Sequence, residues 1–276
     1  MIETGANHAL SPRSLASVVY GAGGPVDDDL AELYHEASKA YPSTLARQSP
    51  GLPLLEASAE LRRVVAHSVK RYAQRARFEL PDPEPITESL GAALARRRSA
   101  RSFSPEPIDV LELATLLHAA YGVTQHGDQS LRTAPSGGAL YPLELYAAVV
   151  RASGVPPGLY HYDALRHVLE EIHRGELDLR DAMVYPELLE APVLVFTTAM
   201  FWRTRFKYGF RGYRFALIEA GHVMQNLLLA CSASERLVAV PLGGFFDSRL
   251  EARLGIDGVN ESIVYGAALG RPGATT

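Results

Sequence analysis

Residues 132–146 read Arg-Thr-Ala-Pro-Ser-Gly-Gly-Ala-Leu-Tyr-Pro-Leu-Glu-Leu-Tyr, a turn that leads into an apolar, strand-like segment. The turn itself is uncharged and consists of Pro135, Ser136, Gly137 and Gly138. Glycine lets a backbone approach a flat ligand closely, and a serine hydroxyl with exposed backbone amides supplies hydrogen bonds at the same place. An ordinary loop that enters a strand can have the same sequence, so the turn alone leaves both interpretations open.

A cluster of cations upstream of this turn forms a candidate anion site; its members are Arg97, Arg98, Ser99 and Arg101. Guanidinium groups bind phosphate in a bidentate manner, and a serine adds a neutral donor. Arg271, just after the last predicted strand, could complete the site. The alternative is a solvated basic helix end that the helix dipole stabilises.

The segment 202–214 interleaves cations with aromatic side chains. Stacking and phosphate contacts of this kind can bind nucleic acid, but the net charge of −4 argues against such a partner. Within the segment, Lys207 and Tyr208 form a candidate proton-transfer pair. Arg203 and Arg205 crowd the lysine, and Phe206 and Phe210 partly desolvate it, so it should lose its proton more easily. The tyrosine can relay that proton. An amphipathic surface loop is the alternative.

Two glycines end a predicted strand in the segment 241–245, Pro-Leu-Gly-Gly-Phe. Backbone amides released there can hydrogen bond the edge of a planar ring, whereas the alternative is a plain turn before a helix near Asp247.

Two Glu-x-x-His pairs, Glu32 with His35 and Glu219 with His222, have the helical spacing of di-iron ligands. Such a site also needs two carboxylates on facing helices of a four-helix bundle. The mixed helices and strands of this sequence favour a histidine at the edge of a core over a metal site.

Composition places the 276-residue chain among ordinary globular proteins, with 47% hydrophobic and 21% charged residues. Its single cysteine, Cys231, excludes an internal disulfide and a cysteine-rich metal site. The first ten residues lack the charged start and apolar centre of a secretory signal. Glu219, His222 and two amides interrupt the most apolar helix and argue against a membrane span. We expect a cytoplasmic protein.

Two regions are predicted along the chain. Residues 1–85 form an amino-terminal helical extension, with a helix capped by Asp27–Asp29 and a basic helix over Glu56–Arg77, and the proline-rich segment 81–85 ends it. Residues 86–276 form the main domain. Helices and strands do not alternate regularly there, which predicts an α+β fold with a largely antiparallel sheet. The predicted elements are helices capped near Thr87 and over 108–120 and 213–234, and strands over 143–151, 158–163, 167–172, 191–199, 237–241 and 262–269.

Taken together, these segments resemble the nitroreductase superfamily and, within it, the SagB-type dehydrogenases. The resemblance covers residues 87–271 and rests on the arginine–serine cluster, the segments APSGGALYPLELY, LYHYDALRHVL and KYGFRGYRFALIEAGHVMQNLLLA, and PLGGFFD followed by a strand ending in LGRP. It implies a nitroreductase-like fold and an FMN enzyme that forms a homodimer with flavin at the subunit interface.

The resemblance also implies roles for single residues. Arg97, Arg98, Ser99, Arg101 and Arg271 would hold the ribityl phosphate. Pro135, Ser136, Gly137 and Gly138 would reach the flavin, from the other subunit in our interpretation, and Leu242, Gly243 and Gly244 would face its ring. Lys207 and Tyr208 match the catalytic pair of azoline oxidases, which convert thiazoline or oxazoline rings in peptides to thiazole or oxazole.

The sequence departs from typical nitroreductases at two positions where the family has an asparagine and a glutamate; this chain has Ala139 and Gly243. These departures favour an azoline oxidase that uses dioxygen over an NAD(P)H-dependent reductase of small molecules, which remains the alternative. Because 85 residues are few for a peptide-clamp domain, a cyclodehydratase partner is expected to help bind a peptide substrate, which could be ribosomal or carrier-bound.

Overall fold

The computed structural model describes residues 29–43, 49, 51–66, 69–127 and 130–273; the amino-terminal decapeptide lies outside them. By its internal contacts the chain divides into Met1–Leu45 and Ala46–Thr276. In the first unit, helix α1 (Leu30–Ala37) begins as predicted at an aspartate. The side chain of Asp29 accepts hydrogen bonds from the backbone N–H groups of Ala31 and Glu32, which satisfies two donors at the helix start.

A seven-stranded sheet dominates the second unit. In spatial order its strands are β1 (Arg77–Glu79), β8 (Val168–Arg174), β7 (Gly158–Asp163), β5 (Leu143–Val149), β9 (Val193–Ala199), β11 (Ser262–Gly270) and β10 (Val238–Leu242). Every neighbouring pair is antiparallel. The predicted α+β fold and its largely antiparallel sheet are therefore confirmed.

Four short strands lie outside the main sheet. β2 (Ile108–Asp109) pairs in parallel with β6 (Ala152–Ser153), and β3 (Val123–Gln125) pairs antiparallel with β4 (Leu131–Arg132). They connect the helices to the sheet and were not predicted, since two or three residues carry almost no periodic signal.

Helices cover both faces of the sheet. On one face, Leu145 and Ala147 of β5 belong to a core with α5 (Val110–Tyr121) and α7 (Phe210–Ala233). On the other, Tyr146 and Ala148 belong to a core that includes α8 (Asp247–Leu254) and the 3₁₀ turns Arg180–Ala182 and Pro186–Glu190. Burial on both faces explains why β5 and β9 are nearly continuous apolar runs.

Two helix boundaries follow from their caps. α5 begins at Asp109 with a capping box, in which Asp109 and Glu112 exchange hydrogen bonds with each other's backbone, and it ends at Gly122 as predicted. α4 (Leu90–Arg96) is capped by Ser89 and not near Thr87, because the Ser89 hydroxyl accepts from the backbone N–H of Ala92.

The helix predicted over Glu56–Arg77 is wrong in its extent. Two short helices, α2 (Leu52–Ala57) and α3 (Ala59–Ala66), occupy its start, and Ser58 caps the second by accepting from Leu61 N–H. Arg77 instead begins β1, which pairs with β8. Tertiary pairing thus overrides the local helical pattern. The domain boundary near residue 85 stays a prediction.

α7 is long and apolar enough to cross a membrane by length and composition alone. Half of the apolar stretch of this helix is buried inside the protein, as is typical of the core helix of a globular domain. Its buried side includes the carboxylate of Glu219, which is hydrogen bonded to Tyr121.

Candidate functional site

The glycine turn lies directly against Lys207 and Tyr208. Residues Gly137–Ala139 form one 3₁₀ turn, in which Gly138 has a φ of 69°. A Cβ atom on Gly138 would lie 2.6 Å from the Tyr208 hydroxyl and 2.7 Å from Lys207 Nζ. The positive φ favours glycine here, and a side chain at this position would have to push the ends of Lys207 and Tyr208 aside. The glycine turn and the Lys207–Tyr208 pair, which are far apart in the sequence, are therefore neighbours in the structure.

Helix α6 (Trp202–Tyr208) carries the pair, so this segment is a helix and not the loop that was considered for it. Gly209, with φ 55° and ψ −135°, separates α6 from α7. The Tyr208 ring packs edge-on against Phe215 of α7, with ring centroids 5.0 Å apart, and Lys207 Nζ lies 5.1 Å from the Tyr208 ring centroid. Both side chains are half-buried, which leaves their polar ends within reach of a ligand.

Arg203, one helical turn before Lys207, anchors α6 to the sheet. Its guanidinium lies 2.6 Å from Glu144 Oε1 and donates to the carbonyl oxygen of Tyr141 at 3.2 Å. Burial would raise the pKa of Glu144, but Arg203 and His161 outweigh it and hold that pKa at about 2. The anchor therefore stays ionic at neutral pH and fixes the position of Lys207.

His161 continues this buried network across the sheet. Its two ring nitrogens lie 2.9 Å from Glu144 Oε2 and 3.1 Å from Glu170 Oε2. Burial would lower the pKa of His161, yet the two carboxylates raise it to about 9, so the ring is an imidazolium at neutral pH. None of these residues was predicted; the available signal was the unusual presence of charged residues within apolar strands.

The predicted anion site lies along β10; its members are Arg97, Arg98, Ser99 and Arg101. Ser99 bridges to Ala239 of β10, and Arg98 donates to two nearby backbone carbonyls. In the described part of the chain, no hydrogen bond or ion pair engages the guanidinium of Arg97 or Arg101. A cavity of about 370 Å³ opens beside Arg97 and Arg98. Arg97, a cation without a partner beside a cavity, suits an anionic ligand.

Arg271 has a partner of its own. Its two terminal nitrogens each lie 2.7 Å from an oxygen of Glu112, in a bidentate pair that is largely buried. Glu112 also accepts from the backbone N–H of Asp109 in the α5 capping box. The structure thus gives Arg271 a role in joining β11 to the start of α5, and its predicted contact with a phosphate stays a prediction.

The segment Leu242–Gly244 lies where β10 ends. Leu242 is buried, whereas Gly243 is exposed and has open space where a Cβ would be. Gly244 packs beneath Tyr185, whose ring would lie 3.0 Å from an added Cβ. Of the three, Gly243 therefore has the backbone that a ligand can approach most easily.

These residues form two groups within one chain. The turn half-site consists of Pro135–Gly138 with Lys207 and Tyr208, and the strand half-site consists of the 97–101 cluster with Leu242–Gly244 along β10. The turn leads into β5, and β9 and β11 separate that strand from β10, a distance of about 14 Å at the usual strand spacing. Within the strand half-site, Ala239 lies three residues before Leu242, or about 10 Å along the strand.

A buried acid lies beneath the turn half-site. Glu219 accepts a hydrogen bond of 2.6 Å from the Tyr121 hydroxyl, and its side chain is almost inaccessible to solvent. His222, its partner in the Glu-x-x-His pattern, is exposed, so the two side chains do not converge. Among the residues that the structure describes, no group of three His, Cys, Asp or Glu side chains is arranged to hold a metal ion.

A cleft of about 410 Å³ lies beside the turn half-site. Gly138 and Lys207 line one side of it, and Leu55 and Val65 of the helices α2 and α3 line the other. Gly51, just before α2, packs so closely on the backbone of Phe206 that a side chain would clash there. The two short helices thus wall a mostly apolar approach to Lys207.

Known proteins with similar sequences include a nitroreductase-like protein and two processing proteins, one of trifolitoxin and one of microcin B17. The nitroreductase-like protein MJ1384 of Methanocaldococcus jannaschii is 38% identical over 65% of this chain and 89% of its own length. The trifolitoxin-processing protein TfxB of Rhizobium leguminosarum is 27% identical over 56% of this chain and 46% of its own. The microcin B17-processing protein McbC of Escherichia coli is 35% identical over 36% of this chain and 39% of its own. The matches thus span less than half of TfxB and of McbC.

Two solved structures superimpose on this chain. A crystal structure of a nitroreductase-like protein from Anabaena variabilis superimposes with a TM-score of 0.65 at 29% identity, over 74% of this chain and 43% of that one. A chain of the E. coli microcin synthetase McbBCD, solved with truncated pro-MccB17 bound, superimposes with a TM-score of 0.59 at 22% identity, over 89% and 92% of the two chains. The model of the nitroreductase family matches residues 94–271. The chain therefore belongs to the nitroreductase family of oxidoreductases, whose members typically bind flavin.

Proposed function

We propose that this chain is an FMN-dependent oxidase that converts a thiazoline or oxazoline ring in a peptide precursor to thiazole or oxazole, with dioxygen as electron acceptor. The observation that carries the proposal is the contact of Gly138 with Lys207 Nζ and the Tyr208 hydroxyl. It joins the turn expected to reach a flavin to the pair expected to move a proton. The peptide-processing names of TfxB and McbC support the same substrate class.

The residues present fit FMN. Gly138 brings the turn backbone against the polar ends of Lys207 and Tyr208, and Gly243 offers an open backbone at the end of β10. Arg97 and Arg101 supply cations for a phosphate, with Arg98 and Ser99 beside them. The length of about 10 Å between Ala239 and Leu242 along β10 suits a ligand with its phosphate at one end and a ring at the other. FMN would supply a hydride acceptor.

The chain's own part in the reaction is proton transfer and positioning. Aromatisation removes a proton from the ring carbon beside the carbonyl and a hydride from the neighbouring carbon. Lys207 Nζ or the Tyr208 hydroxyl takes the proton, and a bound FMN would be the acceptor of the hydride. Arg203 and Glu144 hold α6 so that Lys207 keeps its place, while α2 and α3 exclude water from one side of the cleft.

A homodimer would complete the site. Two strands, β9 and β11, separate the strand that follows the turn from β10 within one chain, so we expect the turn of one subunit to meet the strand half-site of the other. Leu217 and Ile218 of α7 expose 41% and 50% of their surface, which leaves apolar area for a partner. Sedimentation at micromolar concentration should give a dimer, and an active, flavin-loaded monomer would contradict this.

The substrate peptide and its delivery are part of the same proposal. McbC works in a complex named a microcin synthetase, in which a truncated propeptide is bound. By analogy, a cyclodehydratase would form the azoline and pass it to this chain in the cytoplasm. A carrier-bound nonribosomal intermediate remains the other possible source of the ring.

One observation favours a second function. MJ1384, matched over 89% of its length, bears the name of a nitroreductase, so an NAD(P)H-dependent flavin reductase of small molecules is the alternative. A single pair of assays separates the two. The azoline oxidase should lower the mass of an azoline peptide by two hydrogens per ring with dioxygen and without NAD(P)H, and denaturation should release FMN. Fast NAD(P)H-driven nitroarene reduction without azoline oxidation would favour the alternative, and release of FAD would refute the cofactor.

A further inference from the structure

The residues between α3 and β1 tie one wall of the cleft to the sheet. This segment, the strap, comprises residues 69–76 and forms neither helix nor strand. Lys70 of the strap makes three hydrogen bonds. Its backbone N–H donates to Glu144 Oε1 at 2.8 Å, and its Nζ donates to the Tyr146 hydroxyl at 2.9 Å and to Glu261 Oε2 at 2.6 Å. One residue of the strap thus reaches both β5 and the residue that precedes β11.

The acceptors of Lys70 Nζ belong to a buried polar cluster. Tyr146 donates to Glu261 Oε1 at 2.8 Å, and Thr198 of β9 donates to the same oxygen at 2.6 Å. The Tyr72 hydroxyl, two residues further along the strap, lies 3.2 Å from that of Tyr146. Because the carboxylate of Glu261 is buried, the ammonium of Lys70 compensates a charge that has little access to water.

Glu144 connects the strap to the helix of the proposed proton-transfer pair. Its Oε1 accepts from the backbone N–H of Lys70 and also lies 2.6 Å from the guanidinium of Arg203. Lys207 follows Arg203 by one turn of α6. A single carboxylate oxygen therefore holds α6, on one side of the cleft, and the strap, which follows the helices on the other side.

The helices α2 and α3, which form that other side, bury little apolar surface of their own. Of the side chains described in them, only Leu55 is buried. At their start, Gly51 packs on the backbone of Phe206. At their end, Lys70 follows the last residue of α3 by four positions. With so few buried apolar contacts between them, the position of the two helices depends on these two attachments.

We propose that Lys70 is a positioning residue for the substrate: it holds α2 and α3 against α6 and so sets the width of the cleft in which the azoline peptide lies beside Lys207. Lys70 does not line the cleft and acts through the strap. Leu52 and Val65, which do line it, then meet the peptide at a fixed distance from Lys207. This inference rests on the proposed function, because it takes the substrate to be an azoline peptide.

Loss of Lys70 should weaken substrate binding more than it slows the chemical step. Arg203 still pairs with Glu144 in its absence, so Lys207 keeps its place, whereas α2 and α3 can move away from α6. A contact made equally in the ground state and the transition state raises KM when it is lost and leaves kcat unchanged.

The test compares flavin-loaded wild type and Lys70→Met on a synthetic peptide that carries one thiazoline between apolar residues. KM should rise on the order of tenfold, with kcat within about twofold of the wild type. Hydrogen exchange of the same proteins should be faster for the amides of residues 52–66 and unchanged in α7. Arg174→Met, which breaks an exposed pair with Glu171, should match the wild type in both measurements.

A second variant keeps the test decisive if Glu261, buried without its cation, prevents Lys70→Met from folding. Lys70→Met/Glu261→Gln removes both charges and keeps an acceptor for Tyr146 and Thr198, and it should show the same rise in KM and the same faster exchange. An unchanged KM in Lys70→Met, or in the double variant where only that one folds, would overturn this inference and leave the proposed function intact. Wild-type protein that binds FMN but oxidises no azoline peptide would overturn both.

Discussion

The turn half-site and the strand half-site differ in how their charges are compensated. Around the turn, Arg203 pairs with Glu144, and His161 lies between two carboxylates. Along β10, Arg97 lines a cavity, and in the described chain no partner engages the guanidinium of Arg97 or Arg101. Paired charges fix geometry, whereas unpaired cations attract an anion. We therefore expect the turn half-site to set the geometry of the reaction and the strand half-site to retain the ligand. Variants of the two half-sites should then fail in different ways.

Loss of the proton-transfer pair should have the largest effect. Lys207→Ala and Tyr208→Phe should lower azoline oxidation on the order of a hundredfold or more, the usual range for losing such a group, while both proteins still hold FMN. Product mass and the flavin absorbance of the purified proteins measure the two quantities. Arg180→Ala, at an exposed position, is the control. Full azole formation by both flavin-loaded variants would falsify the assigned roles.

The strand half-site should show the reverse. Arg97→Ala should weaken FMN binding by about 1.5–3 kcal/mol if its guanidinium makes a charge-assisted bond to the phosphate, with little change in turnover at saturating FMN. Quenching of flavin fluorescence gives the dissociation constant. Riboflavin supplies the matched control, because its affinity should not depend on Arg97. Equal losses for FMN and riboflavin would place the phosphate elsewhere.

Gly138→Ala should damage the turn half-site through its geometry alone. An alanine at φ 69° costs about 1–2 kcal/mol in unfolding free energy, and its methyl group would displace Lys207 Nζ and the Tyr208 hydroxyl, lowering turnover by about tenfold. Gly91→Ala in α4, where a Cβ meets no atom within 4 Å, should be neutral or stabilising. Thermal unfolding and oxidation rates report the two effects. A Gly138→Ala protein as stable and active as the wild type would remove the steric argument for the site.

Many parts of the two half-sites could be predicted from the sequence, but only as separate residues and not as contacts between them. Local pattern predicts the apolar runs of β5 and β9 and the caps of α5, and it marks Gly138 and Lys207 as separate candidate site residues. Their contact depends on α6 turning back at Gly209. The pairing of Arg271 with Glu112 joins residues 159 positions apart, and no local pattern encodes a partner at that distance.

The pairing within the buried network could not be predicted for a related reason. Glu144 and Glu170 stand out as charged residues within strands, but no local pattern indicates which groups cover them once both faces of the sheet are buried. Residues 70–77, for which a helix was predicted, provide part of that cover: Lys70 and Tyr72 donate backbone N–H groups to Glu144 and Glu170. The wrong helix prediction and the missed network therefore have the same cause, the secondary structure assigned to this segment.

The charge pairing beneath the turn half-site also predicts a dependence of stability on pH that the strand half-site should not share. Because the pKa of His161 is raised to about 9 from 6.5, the folded protein binds more protons than the unfolded chain between these values. Its contribution is therefore complete below pH 6.5 and is lost as pH rises through 9, by at most about 1.4 kcal/mol per pH unit. Denaturant unfolding at pH 7, 8 and 9 should show this decline, and His161→Gln should flatten it despite lower stability overall.

His173→Gln, at an exposed position, and Arg97→Ala should both keep the slope. A slope that persists in His161→Gln would mean that the network does not carry the charge that holds α6, and the contrast between the two half-sites would lose its electrostatic basis.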